Sequence, residues 1–529
     1  MASVVYDTLN KSWKSTCKVL LGSEVGDLKD FEPWLEEYIH KPRFEKSAFS
    51  GKEVELSIAD YPSSSRFASF DEVDFGKKFQ PLSINEIKDI DSIVEAVQDR
   101  IYYTGNLVLG TSSNVEHSSN VFDSHFVYKS NRISDSKYIA YAQDARYCEC
   151  CFGWYVGSKS SYSIKSTGGN LKRCFEVLDS EMVSDAYYST LVQNCQHCMF
   201  CFGVRSKNFV IGNLAVPKDK YEKIRKKLVS EIAEKLRKEK KVFSLLEILE
   251  KSEKFGKSSL KLKPLEEAAF NKSVIERAFS TTSKLVTGRA LEGIDSYSKF
   301  LFRHVPRNVY VKSGLSGKSL VVAGFRAYLM DLYDIAPRIL DQYEIDEIGK
   351  TAVRESVAEN LAFDPQQLAK SLYPIAYSSL QKNAGKITNV KNGGIVISSE
   401  DCYEGCAFVQ SKKCAYCYWP RESESIFGSA VLWSSAFCIN CYYSKKLTRC
   451  FECDNCDSCS DTYFSHNCEG MRESMFCFNT KSLGYSIGNV QLPMDKYKKT
   501  KAAILEQIGA ELEKEKDLKW DVFTLGSRK

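Results

Sequence analysis

A six-residue period restricts the fold of this 529-residue chain more than any other feature. Divided from Ser112 onward, the sequence reads SSNVEH, SSNVFD, SHFVYK, SNRISD, SKYIAY, AQDARY and CECCFG. The first position of each unit is small and the fourth is aliphatic, and both become cysteine in the last unit. A helix requires a period of 3.6 and a single strand a period of 2, so neither explains the pattern. The period predicts a β-solenoid, in which short strands stack equivalent side chains.

The same register occurs again further along the chain, which indicates an internal duplication. It returns at Cys174 and reappears at Cys450. Residues 198–221 align without a gap to residues 474–497, at an offset of 276, and 12 of the 24 pairs are identical. Average composition would give about one or two identities. Each copy continues into an amphipathic helix, so we expect two solenoids that end alike.

The chain has 20 cysteines, and four of them recur at every third position from Cys450 to Cys459. Spacings of this kind bind zinc in many proteins. The duplication favours another interpretation, because Cys453, Cys456 and Cys459 align with Val177, Ser180 and Val183. Cysteine that exchanges with valine and serine behaves as a small buried residue. We therefore predict core thiols and no metal, catalytic or cofactor-binding residue. If zinc is bound, the first candidate ligands are Cys450, Cys453, Cys456 and Cys459.

The six-residue ladders resemble parallel β-helix proteins of the hexapeptide-repeat type. The similarity covers residues 105–213 and 393–489, less than half of the chain. It departs from the usual left-handed pattern, in which the small residue follows the aliphatic one by four positions instead of three. The resemblance implies either of two functions, because hexapeptide proteins include acyltransferases that bind a cofactor between subunits and purely structural scaffolds such as virion parts.

The predicted fold class is α+β, a tandem duplication of a six-residue-period β-solenoid, with mixed α/β segments before each solenoid and an amphipathic helix after it. The mixed segments do not align with each other by eye. The expected domains are a mixed segment at 1–104, a solenoid at 105–216, a helical segment at 217–263, a mixed insert at 264–392, a second solenoid at 393–492, and a C-terminal helix and tail at 493–529.

Charge and hydropathy narrow the expected partners. The net charge of +5 is small for this length, so bulk electrostatics does not indicate a nucleic-acid partner. No stretch approaches the roughly 18 apolar residues of a membrane span, and the N-terminus lacks a signal-peptide pattern. We expect a protein of the cytoplasm, or of a particle assembled there, in which thiols stay reduced.

Two classes of function follow from this sequence. The first is a non-enzymatic, self-assembling structural protein, a subunit of a shell, filament, virion or other homo-oligomeric scaffold whose main partner is itself. The second is an acyl- or nucleotidyl-transferase-like enzyme with its site beside a solenoid, and a cysteine-rich zinc-binding protein is a further alternative. The sequence favours the first, because its information lies in repeated core positions and no set of residues has a recognisable chemical role.

Overall fold

The structure is a computed structural model. It describes residues 3–528 except residues 57–59, 84, 149–151, 154, 159–162, 168–170, 173, 263–268, 422, 424–426, 429–438, 440–450 and 455–459. The described residues form an α+β fold with helices and many strands, and most of the sheets are small and parallel.

The described α-helices occur in two similar series. The first contains α1 (Val4–Leu21), α2 (Glu32–Leu35), α3 (Ile90–Val97), α4 (Lys218–Glu239) and α5 (Leu245–Ser252). The second contains α6 (Ser273–Thr287), α7 (Ser298–Leu301), α8 (Gly324–Ala327), α9 (Leu329–Leu332), α10 (Gln342–Ile348), α11 (Glu355–Glu359), α12 (Pro365–Leu372) and α13 (Met494–Glu515). Short 3-10 helices include Leu28–Phe31 and Ile294–Tyr297.

The described strands also fall into two series. The first contains β1 (Arg43–Lys46), β2 (Glu53–Leu56), β3 (Phe67–Ser69), β4 (Tyr103–Gly105), β5 (Val108–Leu109), β6 (Ser113–Glu116), β7 (Ser119–Phe122), β8 (His125–Tyr128), β9 (Asn131–Ser134), β10 (Lys137–Ala140), β11 (Gln143–Arg146), β12 (Tyr155–Ser158), β13 (Ile164–Thr167), β14 (Leu171–Lys172), β15 (Phe175–Leu178), β16 (Val183–Thr190), β17 (Gln196–Met199), β18 (Asn208–Ile211) and β19 (Leu214–Ala215). The second contains β20 (Val309–Lys312), β21 (Ser319–Val322), β22 (Lys382–Ala384), β23 (Thr388–Ile397), β24 (Glu400–Val409), β25 (Lys412–Ala415), β26 (Phe451–Asp454), β27 (Ser460–Glu469), β28 (Arg472–Met475), β29 (Phe478–Lys481), β30 (Gly484–Ile487) and β31 (Val490–Gln491).

Strands β6 to β11 begin every six residues, but hydrogen-bonded partners lie 12 residues apart. Val115 pairs with Val127, and Val127 pairs with Ile139 in the same sheet. Val121 and Ile133 pair in a different sheet. Successive strands therefore alternate between two sheets, and the aliphatic positions form two separate ladders. We call strands β5–β18 the first parallel region and strands β23–β30 the second parallel region.

Left-handed backbone residues recur at every third position, alternately inside a short strand and in the bend between two strands. From Asn114 to Tyr147, each third residue has a φ between 43° and 59°. Asparagine, aspartate and glycine tolerate this conformation best, which accounts for the Asn and Asp at many of these positions. The residue directly after each left-handed position is buried in almost every case. Some of these residues are small, such as Ser118 and Ser124, and others are aliphatic, such as Val121. Both columns of the six-residue pattern therefore point into the core.

The duplication extends beyond the parallel regions and the helices that follow them. An offset of 266 relates Leu28–Phe31 to Ile294–Tyr297, and the same offset relates α2 to α7, β1 to β20 and β2 to β21. Helices α3 and α12 match at an offset of 275, and α4 and α13 match at 276. The two mixed segments are therefore also related by the duplication, although their sequences do not align with each other by eye. Changes in the offset and diverged side chains, such as Tyr38 against His304, hide the relationship.

The two halves of the chain exchange segments. One buried core combines buried, described residues from positions 5 to 38 and 140 to 249 with buried residues from positions 320 to 380 of the second half. The other combines buried, described residues from positions 275 to 325 and 395 to 525 with buried, described residues from positions 54 to 103 of the first half. We call residues 54–103 and 320–380 the exchanged segments. Each parallel region is therefore covered partly by its own half and partly by the other half.

Buried ions join the halves where the second exchanged segment meets the first parallel region. The Arg326 guanidinium lies 2.6 Å from Oδ2 of Asp179, and the Lys382 ammonium lies 3.1 Å from Oδ1. The two cations lower the pKa of Asp179, although burial opposes this effect. A buried carboxylate tolerates desolvation only when it is paired in this way.

Candidate functional site

The four cysteines named as candidate zinc ligands cannot be placed as a group. Cys450, Cys456 and Cys459 lie outside the described residues. The backbone of Cys453 lies in β26, but its side chain is not described. Among the residues that the structure describes, no group of three or more His, Cys, Asp or Glu side chains is arranged to hold a metal ion.

The described cysteine side chains occupy core positions. Cys402 and Cys414 continue a ladder with Val390, and the equivalent ladder in the first half, at an offset of 275, is Val115, Val127 and Ile139. Both thiols are fully buried. Burial raises the pKa of Cys402 and Cys417, which keeps them protonated and poorly nucleophilic. No disulfide links the described cysteines, which are Cys17, Cys148, Cys174, Cys195, Cys198, Cys201, Cys402, Cys406, Cys414, Cys417, Cys468 and Cys477.

One buried thiol differs from these. A hydrogen bond from Cys198 lowers the pKa of Cys195, burial opposes the shift, and the Lys207 backbone N–H assists it from 3.4 Å. Cys195 is fully buried, so a substrate could not reach its sulfur without local opening. This thiol belongs to the packing of the first parallel region.

Equivalent exposed aromatic residues lie on the two hairpins. Phe44 of β1 is 52% exposed, and Tyr310 of β20, at an offset of 266, is 54% exposed. In the described part of the chain, β1 pairs only with β2, and β20 only with β21. Each hairpin therefore has an outer strand without a second strand partner among the described residues, beside an exposed ring, and the same feature occurs twice in one chain.

A central cavity of about 640 Å³ lies where the two halves meet. Its wall includes residues 40–43, Leu56 and Asp60 of the first half, residues 304–307, Phe325, Tyr328, Asp331 and Tyr418 of the second half, and Asn131, Arg132, Gln143 and Asp144 of the first parallel region. It is larger than the two other described cavities, whose volumes are about 390 Å³ and about 420 Å³. We call it the central cavity.

The four wall residues from the first parallel region are polar, whereas their equivalents are not. Asn131, Arg132, Gln143 and Asp144 correspond, at an offset of 275, to Cys406, Ala407, Tyr418 and Trp419. The guanidinium of Arg132 lies 2.6 Å from Oδ1 of Asp144, and Gln143 accepts a hydrogen bond of 3.0 Å from the His40 backbone N–H. Core packing alone does not require polar residues at these four positions in one half and less polar residues in the other. The first parallel region therefore gives the central cavity a polar wall that its duplicate does not.

Two carboxylates hold a charged histidine at the opposite wall. Nε2 of His304 lies 3.2 Å from Asp521, and Nδ1 lies 3.3 Å from Asp60. Burial disfavours the imidazolium, but these carboxylates more than compensate and raise the pKa of His304 to about 9. A histidine held on both nitrogens is a structural cation at neutral pH and a poor general base.

Lys41 and Arg307 are equivalent residues, at an offset of 266, and both line the central cavity. Both are exposed, and the Arg307 guanidinium lies 5.5 Å from the centre of the Phe302 ring. Within the described part of the chain, neither residue forms an ion pair. Sequence reasoning did not single out either residue, because the mixed segments that contain them did not align. The matching order of short helices and hairpins was the signal that relates them.

No protein-family model, no curated protein and no solved structure matches this chain. None of the described helices combines the length and the hydropathy that a bilayer crossing needs.

Proposed function

We propose that the chain is a non-enzymatic structural subunit that associates with further copies of itself. The observation that carries this proposal is the repeated hairpin surface, with Phe44 and Tyr310 exposed at equivalent positions. An open strand edge with apolar residues favours pairing with another chain, and β20 carries Val309, Tyr310 and Val311 in sequence. Because one chain presents this surface twice, one type of contact can extend an assembly in two directions.

We also propose that each parallel region is a β-solenoid with about 12 residues per turn. The 12-residue spacing of paired residues and the left-handed residue at every third position support this geometry. Stacked turns form a stiff rod, which suits a scaffold. The described cysteine side chains, which are buried and form no disulfide, favour assembly in the cytoplasm, where thiols remain reduced.

Light scattering coupled to size-exclusion chromatography tests self-association. The unmodified chain is expected to exceed its monomer mass of 59.9 kDa at micromolar concentration. The double variant Phe44→Lys and Tyr310→Lys is expected to elute as a monomer, because two charges replace the exposed rings. Met182→Lys is the matched control, since Met182 is 60% exposed but lies outside both hairpins. A strict monomer at every concentration, or equal masses for all variants, would count against the proposal.

The transferase alternative is favoured by one observation. The central cavity lies beside the first parallel region, where the polar wall of Asn131 and Arg132 distinguishes one half from the other. Incubation with acyl-CoA or nucleotide-sugar donors, followed by mass spectrometry, tests this alternative. Transfer that is lost in Arg132→Leu but retained in Lys137→Ala, a change at an exposed residue of β10, would replace the structural proposal.

A further inference from the structure

We propose that the central cavity binds a small phosphate-bearing molecule, with Lys41 and Arg307 as its two cationic contacts. This inference does not depend on self-association, because the cavity lies within one chain.

The ion pairs in the wall of the central cavity indicate which charged side chains remain available to contact a ligand. Arg43 donates from Nε to Glu45 over 2.9 Å, Arg132 is held by Asp144, and His304 is held by two carboxylates. In the described chain, Lys41 and Arg307 are the cavity cations outside such pairs, and Asp331 is a lining carboxylate outside them. The unpaired groups therefore leave an excess of positive charge that an anion can neutralise.

The duplication makes this pair of cations more specific than two ordinary surface charges. Each cation lies two residues before the first strand of its hairpin, β1 or β20. The residues on either side differ between the halves, since His40 and Pro42 correspond to Pro306 and Asn308. Both halves nevertheless carry a cation at this position, Lys41 in the first half and Arg307 in the second. Both residues line the central cavity, because the two halves meet around it.

The remaining wall determines the class of ligand. A guanidinium forms paired hydrogen bonds to phosphate oxygens, and a lysine ammonium adds a point charge. Phe325, Tyr328 and Tyr418 provide ring surface, and Gln143 provides an amide. A cavity of about 640 Å³ lies within the range that accommodates a nucleotide-sized ligand. Phosphate recognition by the cations, with a ring against the aromatic side chains, is the chemistry that fits this cavity.

Isothermal titration calorimetry on the full chain tests the proposal with AMP, ATP, pyrophosphate, inorganic phosphate and adenosine. AMP, ATP and pyrophosphate are expected to bind, and Lys41→Ala or Arg307→Ala is expected to weaken each by about tenfold or more. Arg307→Lys should restore part of the loss, since it retains the charge. Tighter binding of AMP than of inorganic phosphate would support the ring contact, and equal binding would assign recognition to the phosphate alone.

Three results would overturn the inference. These are no heat of binding from any phosphate-bearing probe at millimolar concentration, equal binding of adenosine and AMP, and equal affinities in the unmodified chain and both alanine variants. Lys137→Ala is the matched control for loss of an exposed positive charge. Circular dichroism of every variant establishes that the fold is retained, and light scattering on the same samples separates ligand binding from any change in assembly.

Discussion

The backbone N–H of Thr104 donates a hydrogen bond to Nε2 of His466, 3.0 Å away and 362 positions later in the chain. In the other half, a side-chain contact joins Ser378 to Thr190, whose hydroxyl oxygens lie 3.2 Å apart. Thr190 is the counterpart of His466 in the first parallel region, and Ser378 is adjacent to Ser379, the counterpart of Thr104 at an offset of 275. Each half therefore anchors its exchanged segment on the parallel region of the other half, and the two contacts are reciprocal.

Replacement of His466 tests this anchor. His466→Ala removes the acceptor of a buried N–H and the ring that packs 5.1 Å from Tyr103. We expect a loss of about 3 kcal/mol in the free energy of unfolding, measured by chemical denaturation. Hydrogen exchange at the Thr104 amide should accelerate. His466→Gln, which keeps an acceptor, should recover part of both effects, and unchanged exchange in His466→Ala would contradict the contact.

The reciprocal exchange predicts that a cut chain stays together. Cleavage at a protease site inserted between Lys261 and Leu262 would break the covalent connection between the two halves. We expect the nicked protein to elute at the mass of the intact chain, because each core contains segments of both halves. The fragments should separate only in denaturant. Two fragments that part under native conditions would show that the halves are independent.

Glu55 makes stability depend on pH. Burial raises the pKa of Glu55 to about 7, and the amide of Asn131 donates to its carboxylate over 3.0 Å. Since the pKa is higher in the folded state, the stabilisation is present below the ordinary pKa of 4.5 and is lost as pH rises through 7. We expect Glu55→Gln to unfold at a higher temperature than the unmodified chain at pH 8, with a gain of up to about 3 kcal/mol. The difference should nearly disappear at pH 4, and Glu53→Gln, at an exposed neighbour, should change little.

His304 also links stability to pH, over a higher range. Its folded pKa of about 9 exceeds the ordinary value of 6.5, so its contribution is complete below pH 6.5 and is lost as pH rises through 9. We expect His304→Gln to lose about 3 kcal/mol at pH 6 and much less at pH 9.5, measured by urea denaturation. His117→Gln is the control, because among the described residues His117 forms no ion pair. A loss that is the same at both pH values would indicate a packing role only.

The ladders predict a clear contrast between core and surface. Ile133 is fully buried in its ladder, so Ile133→Asp should cost about 4 kcal/mol or more by placing an unpaired charge in the core. Lys137→Ala, at an exposed position of the next strand, should stay within about 0.5 kcal/mol of the unmodified chain. Equal melting temperatures would show that the register is wrong. Lys129 is unsuitable as a control, because its ammonium is paired with Glu32.

Local pattern was sufficient to find the repeated strands and the two long helices. An amphipathic helix is predicted after each parallel region, and Tyr221, Ile224 and Leu228 are buried along one face of α4. The six-residue spacing of strand starts also follows from the sequence. The sequence did not indicate that hydrogen-bonded residues of neighbouring strands lie 12 positions apart. A repeat of six residues is equally compatible with several numbers of strands per turn.

The sequence alone determined the duplication of the parallel regions and the small and aliphatic core positions, and it predicted that cysteine takes such positions, as the described cysteine side chains do. These features are local or are repeated at a constant offset, so the order of residues is enough to see them. Only the tertiary structure decided that the mixed segments are also duplicated, that the halves exchange residues 54–103 and 320–380, and that Lys41 and Arg307 line one cavity. The physical reason is that these relationships join residues hundreds of positions apart through buried contacts, and such contacts leave no period in the sequence.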